Sequence, residues 1–128
     1  MEKDDILDKL FVDEKEVNQQ VIYDILSDFV RLAKDGNIVL LAPFNSLNNE
    51  KKVLLVLLAR KVLAIKNIAS EFISPTEVQA ITGMPKGTVN PTLWSLAMKG
   101  YLKNYGGKYG VPSYSIIKIQ EYFRNKEM

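Results

Sequence analysis

Apolar residues recur at three- and four-residue steps after Asp13: Val17, Val21, Ile22, Ile25, Leu26, Phe29, Val30 and Ala33. Asp24, Asp28, Arg31 and Asp35 fall between them, so the pattern predicts one amphipathic helix over 14–35. Asp13-Glu14-Lys15-Glu16 supplies a capping box at its start, and Gly36 a left-handed residue at its end. Ile6, Leu7, Leu10 and Phe11 suggest a short helix over 3–11 before it. Ile38-Val39-Leu40-Leu41, followed by Ala-Pro, reads as a short strand or an extended packing segment. From about Asn48 a further helix starts, and its stretch Val53–Ile65 is apolar nearly all round. Such a helix belongs at the centre of a core, with Lys52, Arg60, Lys61 and Lys66 marking its wet edge.

The next signals are local. Ser74-Pro75-Thr76-Glu77 combines an N-cap, a proline at the first helical position and a glutamate reaching back, and Gly83 closes the short helix that follows. Met84-Pro85-Lys86-Gly87 makes a tight connection to a helix from about Thr88 to Lys99, with Pro91 in its first turn and Gly100 at its end. Two β-rich runs, 101–105 and 108–116, meet across Gly106-Gly107 and predict a hairpin. Pro112 confines the second run to an edge or a bulge. A last helix, roughly 117–126, carries Ile119, Tyr122 and Phe123.

Helix, short helix, tight turn, helix and hairpin, over 48–116, is the order of a winged helix-turn-helix. The stretches Ser74-Pro-Thr-Glu-Val-Gln-Ala-Ile-Thr-Gly83, Pro85-Lys-Gly-Thr-Val-Asn-Pro-Thr-Leu-Trp-Ser-Leu96 and Lys99-Gly-Tyr-Leu-Lys103 resemble winged-helix transcription regulators of the MarR and ArsR type. They are also similar to small archaeal winged-helix proteins whose recognition helix opens on Lys-Gly-Thr-Val. One departure is plain: Asn90-Pro91 follows Thr88-Val89 where such regulators often place an arginine. The resemblance implies a mainly α fold with a small β-hairpin (α+β), a winged helix-turn-helix with an added N-terminal amphipathic helix. It divides the chain into a helical extension with a short strand, 1–46, for packing or dimerisation, and a winged-helix domain, 47–128. It implies double-stranded DNA binding by a transcriptional regulator acting as a homodimer.

Charge sharpens this picture more through its distribution than its total of +2. Residues 1–36 hold ten carboxylates against five cations, and residues 84–128 hold seven cations against two carboxylates. An acidic start and a basic end suggest two surfaces with different partners. The chain has no Cys and no His, which removes disulfides, thiolate and imidazole metal sites, cysteine nucleophiles and His-based triads. The carboxylates Glu2, Asp4, Asp5, Asp8, Asp13, Glu14 and Glu16 follow no calcium-loop spacing and read as helix-start acids. No nucleophile–base pair or phosphate loop is visible. We therefore expect no enzyme, no metal and no cofactor. No apolar run reaches a membrane span, and the acidic N-terminus does not look like a signal peptide, so a cytoplasmic protein is expected.

In the helix from Thr88, the residues Val89, Leu93, Leu96 and Gly100 form one inward stripe and leave Thr88, Asn90, Trp94, Ser95 and Lys99 toward solvent. Lys86, with the backbone N–H groups near Gly87 and Thr88, suits a phosphate at a helix start. Asn90 suits bidentate pairing with adenine. Lys103 and Lys108 flank the hairpin tip, where Tyr105 and Tyr109 can add hydroxyl contacts. The expected DNA-contacting set is thus Lys86, Gly87, Thr88, Asn90, Trp94, Ser95, Lys99, Lys103, Lys108 and Tyr109. Trp94 has two readings, packing beneath the hairpin or N-terminal segment, and contact with DNA or a partner. The tyrosines between 101 and 122 suit cross-strand packing or base stacking. The stripe Val17, Val21, Ile22, Ile25, Leu26 and Phe29 either pairs two subunits or packs within its own chain. The other function class open to this pattern is a winged-helix protein-interaction module without DNA affinity.

Overall fold

The computed structural model describes residues 6–10 and 14–124, and no side chain at 8, 9 or 14–17. The Asp13 capping box, the side chain of Val17 and most of the N-terminal carboxylates lie outside the described residues. Ile6–Leu10 forms a single 3-10 turn. The first helix, α1, runs over Glu14–Leu26, nine residues short of the expected end. There the chain leaves the helix and forms β1, Val30–Leu32, which pairs antiparallel with β2, Ile38–Leu40, in the register Val30↔Leu40, Arg31↔Val39 and Leu32↔Ile38. Over residues 29–33 an i, i+4 pattern and a two-residue alternation fit the same letters, and the apolar partner strand decides for the strand. Gly36 is left-handed as expected, with φ +97°, but it serves this hairpin's turn and not a helix end. Asp35 completes the turn by accepting from the Asn37 backbone N–H at 3.0 Å.

After a 3-10 turn that buries Phe44, α2 spans Asn49–Ile65, its start capped by the Asn48 side chain, which accepts from the Lys51 N–H at 2.8 Å. Residues Val53 to Ala59 are all completely buried. The all-round apolar stretch does form the centre of the core. Lys61 is the polar exception on α2: 9% exposed, it donates to the Val111 carbonyl at 2.9 Å and meets Glu71 at 3.5 Å. A buried ammonium is tolerable only with such partners.

The third helix, α3, covers Pro75–Thr82 and begins with the full capping box at Ser74 and Glu77; it ends at Gly83, φ +76°. The fourth, α4, spans Lys86–Met98 and so starts two residues before the expected Thr88. That shift puts Pro91 in the helix interior, not its first turn, and the Gly87 carbonyl loses its helical donor. The strands β3, Lys103–Tyr105, and β4, Lys108–Gly110, form the expected hairpin around Gly106 and Gly107, both with positive φ. β4 stops before Pro112. Ile73 bridges Tyr109 through two backbone hydrogen bonds of 2.8 and 2.9 Å, laying the segment before α3 along the hairpin's edge. The last helix, α5, spans Ile116–Arg124.

The fold is thus mainly helical, five α-helices among the described residues with two small antiparallel hairpins. α2 is the hub: α3 and α4 pack on it, as does α1, which also packs on α5. One continuous core cluster runs from Val21 to Ile119, taking in residues on both sides of the boundary expected near 46. Among the described residues no helix is long and apolar enough to cross a membrane.

Candidate nucleic-acid interface

Val89, Leu93 and Leu96 are fully buried and fix the rotation of α4 on α2. The opposite side must therefore face outward, and it carries Gly87, Asn90, Pro91, Trp94 and Met98. Trp94 is 62% exposed and Met98 68%. Of the two readings of Trp94, packing beneath the hairpin is excluded by this exposure. Lys86 is exposed in the first turn, where Pro85 provides no side-chain cap for the helix-start N–H groups.

The remaining α4 residues of the expected set are engaged within the chain. Ser95 donates to Glu50 Oε2 at 3.3 Å, and the Lys99 ammonium meets the same oxygen at 2.7 Å. Tyr122 of α5 donates its hydroxyl to Glu50 Oε1 at 2.8 Å. Glu50 thus joins the start of α2 to the end of α4 and to α5. Burial raises its carboxyl, but the hydrogen bonds from Lys99, Tyr122 and Ser95 together with the Lys99 charge outweigh this, and its pKa sits below the ordinary value. The Tyr122 hydroxyl is pushed up to about 12, first by burial and then by its bond to the Glu50 carboxylate. Thr88 is half-buried, and its carbonyl accepts the Thr92 hydroxyl at 2.7 Å.

On the hairpin, Lys103 and Lys108 are exposed near the tip, Lys103 lying over the Tyr105 ring at 5.2 Å. Tyr109 departs from expectation. Alternation along β4 turns Lys108 outward and Tyr109 inward, leaving the tyrosine 8% exposed, with its hydroxyl met by Asn104 Nδ2 at 3.4 Å. A phosphate contact from its hydroxyl does not fit that position. Tyr105 packs on Phe72, ring centroids 4.4 Å apart, which is the packing reading of the tyrosines, as is Tyr101 stacked on Tyr122 at 5.4 Å.

Two sets emerge. Lys86, Gly87, Asn90 and Trp94 on α4 and Lys103 and Lys108 on the hairpin are open, and none of these lysines enters an ion pair among the described residues. Between Val78 and Gln120 the chain has five lysines and no carboxylate, and of these lysines Lys99 is the one that meets an acid, Glu50, among the described residues. Of the α1 stripe, Val21, Ile22, Ile25 and Leu26 are buried in the core of their own chain, and Phe29 packs against it. Packing within the chain is therefore the use these side chains have here.

Glu50 was not legible as part of this site. Its position in the first turn of a helix has an ordinary electrostatic explanation, and nothing local marks partners so distant in sequence. Ile73 is similar: a two-residue apolar pair, Phe72-Ile73, is too short to announce a strand. No three carboxylates among the described residues gather as a metal ion would require. Comparison of the chain with protein-family models, with curated proteins and with solved structures finds no match.

Proposed function

We propose that the chain is a winged helix-turn-helix protein that binds double-stranded DNA and acts in the cytoplasm as a transcriptional regulator. In this reading α4 lies in the major groove and the β3–β4 hairpin is the wing, resting on the adjacent backbone. The observation that carries it is that Lys86 at the start of α4 and Lys103 and Lys108 on the hairpin are exposed and enter no ion pair among the described residues. The order of α2, the Ile73 bridge, α3, α4 and the hairpin supports it, since a winged helix places its segments in that sequence. Lys86 beside uncapped helix-start N–H groups suits one phosphate, and the two hairpin lysines suit others.

The reading keeps a homodimer as the working assembly. With the α1 stripe used inside the chain, pairing falls to a half-open apolar groove of about 390 Å³ between α1, β1 and the end of α2, which includes Tyr23, Leu26, Val62 and Ile65. A second function is favoured by one observation, the exposed Trp94 and Met98: a winged-helix module that docks on another protein. Fluorescence anisotropy with a random labelled duplex at low salt separates the two. Binding that weakens as salt rises supports the first, and no binding at low salt leaves the second.

A further inference from the structure

The outward face of α4 lacks the arginine or lysine that most often reads guanine. We infer that the chain selects A·T pairs, Asn90 bonding to adenine and Trp94 covering the thymine methyl; the inference rests on the duplex-binding reading above. Asn90 and Trp94 are one helical turn apart on the exposed side, separated by about 6 Å along the axis. That is close to two base-pair steps, at roughly 3.4 Å each. The commonest guanine contact is a bidentate arginine or lysine. From Gly87 to Met98 α4 carries neither, and the Lys99 that follows is held by Glu50 at 2.7 Å. No arginine occurs between Arg60 and Arg124, and Arg60 is itself bound to the Ser70 carbonyl and to Glu77. Lys86, at the first residue of the helix, is spoken for by phosphate.

An indole 62% exposed in the middle of this face needs an apolar counterpart. Among the base edges of the major groove the thymine methyl is the one such group. Charge selects DNA over a protein as the occupant: Lys86, Lys103 and Lys108 are exposed and enter no ion pair among the described residues, and the sequence between Val78 and Gln120 has no carboxylate. The amide of Asn90 then matches the adenine N6 and N7, so two side chains one turn apart read the same kind of pair.

Three duplex pools of equal length test this by anisotropy at low salt: A·T-rich, G·C-rich, and the A·T-rich pool with deoxyuridine in place of thymidine. The substitution deletes only the methyl. The A·T-rich pool should bind at least about tenfold more tightly than the G·C-rich one, the discrimination of a single good base contact. The deoxyuridine pool should bind about fourfold more weakly for each methyl covered. Trp94→Ala should abolish the thymidine–deoxyuridine difference while Trp94→Phe keeps it, and Asn90→Ala should erase most of the preference over G·C. Circular dichroism checks that each variant is folded. Emission from the chain's single tryptophan should change with the thymidine pool. Equal affinity for all three pools overturns the A·T inference and leaves duplex binding standing. Failure of every pool to bind overturns duplex binding itself, and the inference with it.

Discussion

Removing the Glu50 carboxylate should cost far more than an exposed acid normally does. Its two oxygens hold Lys99 at 2.7 Å, the Tyr122 hydroxyl at 2.8 Å and the Ser95 hydroxyl at 3.3 Å. The Lys99 side chain is 52% exposed, so solvent screening leaves that ion pair only ~0.5 kcal/mol. The half-buried Tyr122 hydroxyl bonding to a charge contributes ~1.5 kcal/mol, and the longer Ser95 bond ~0.5 kcal/mol. Glu50→Ala should therefore destabilise the fold by about 2.5 kcal/mol, lowering Tm by roughly 10 °C for a chain of this size. Glu50→Gln keeps an acceptor for a hydroxyl and should lose about half as much; Lys99→Met should lose ~0.5 kcal/mol. The folded-state pKa of Glu50 is depressed, so its contribution is present above the unfolded value and disappears as pH falls through the folded one. Urea melts of wild type and Glu50→Gln should differ at neutral pH and converge only in acid, once the pH has fallen through the depressed folded-state pKa of Glu50. A gap that is the same at both pH values, or an alanine variant that loses under ~0.5 kcal/mol, would refute the account of Glu50 as the joint between α2, α4 and α5.

Lys103→Ala and Lys108→Ala should each reduce the slope of log affinity against log salt for random duplex by about 0.9, one phosphate each. Lys99→Ala should leave that slope at its wild-type value, because Glu50 already neutralises this ammonium; anisotropy over a salt series reads all three. Pro91→Ala restores a donor to the Gly87 carbonyl, and urea unfolding should show a gain of ~1–2 kcal/mol after the greater freedom of the unfolded chain is subtracted. Light scattering on the full chain at tens of micromolar should give the mass of two copies; a single-copy mass removes the homodimer from the proposed function.

Where an element depends on a few neighbouring residues, it was legible. Ser74, Pro75, Glu77 and Gly83 act within about three turns of one another, and α3 has the expected limits, cap and close. The inward stripe Val89, Leu93 and Leu96 gave the rotation of α4, and with it the exposure of Asn90 and Trp94. The burial of Tyr109 follows from the alternation of β4, since its neighbour Lys108 takes the outward side. The helix α4 starts two residues before Thr88 because Pro85 itself serves as the cap residue, which moves Pro91 from a tolerated position to a costly one.

By itself the chain's pattern of apolar, capping and turn residues determined where α2 to α5 lie, that Val53–Ala59 lies at the centre, and that the basic residues gather after Gly83. Tertiary structure decided what those segments do to each other. The pairing of 30–32 with 38–40 overruled a helical period, Ile73 found Tyr109, and α1 spent its stripe on its own chain. It also sent Lys99 to an acid 49 residues earlier, away from the surface the lysine was expected to serve. The reason is range: propensities and caps act over a turn or two, whereas ion pairs, strand partners and buried faces are chosen among groups that only folding brings within reach.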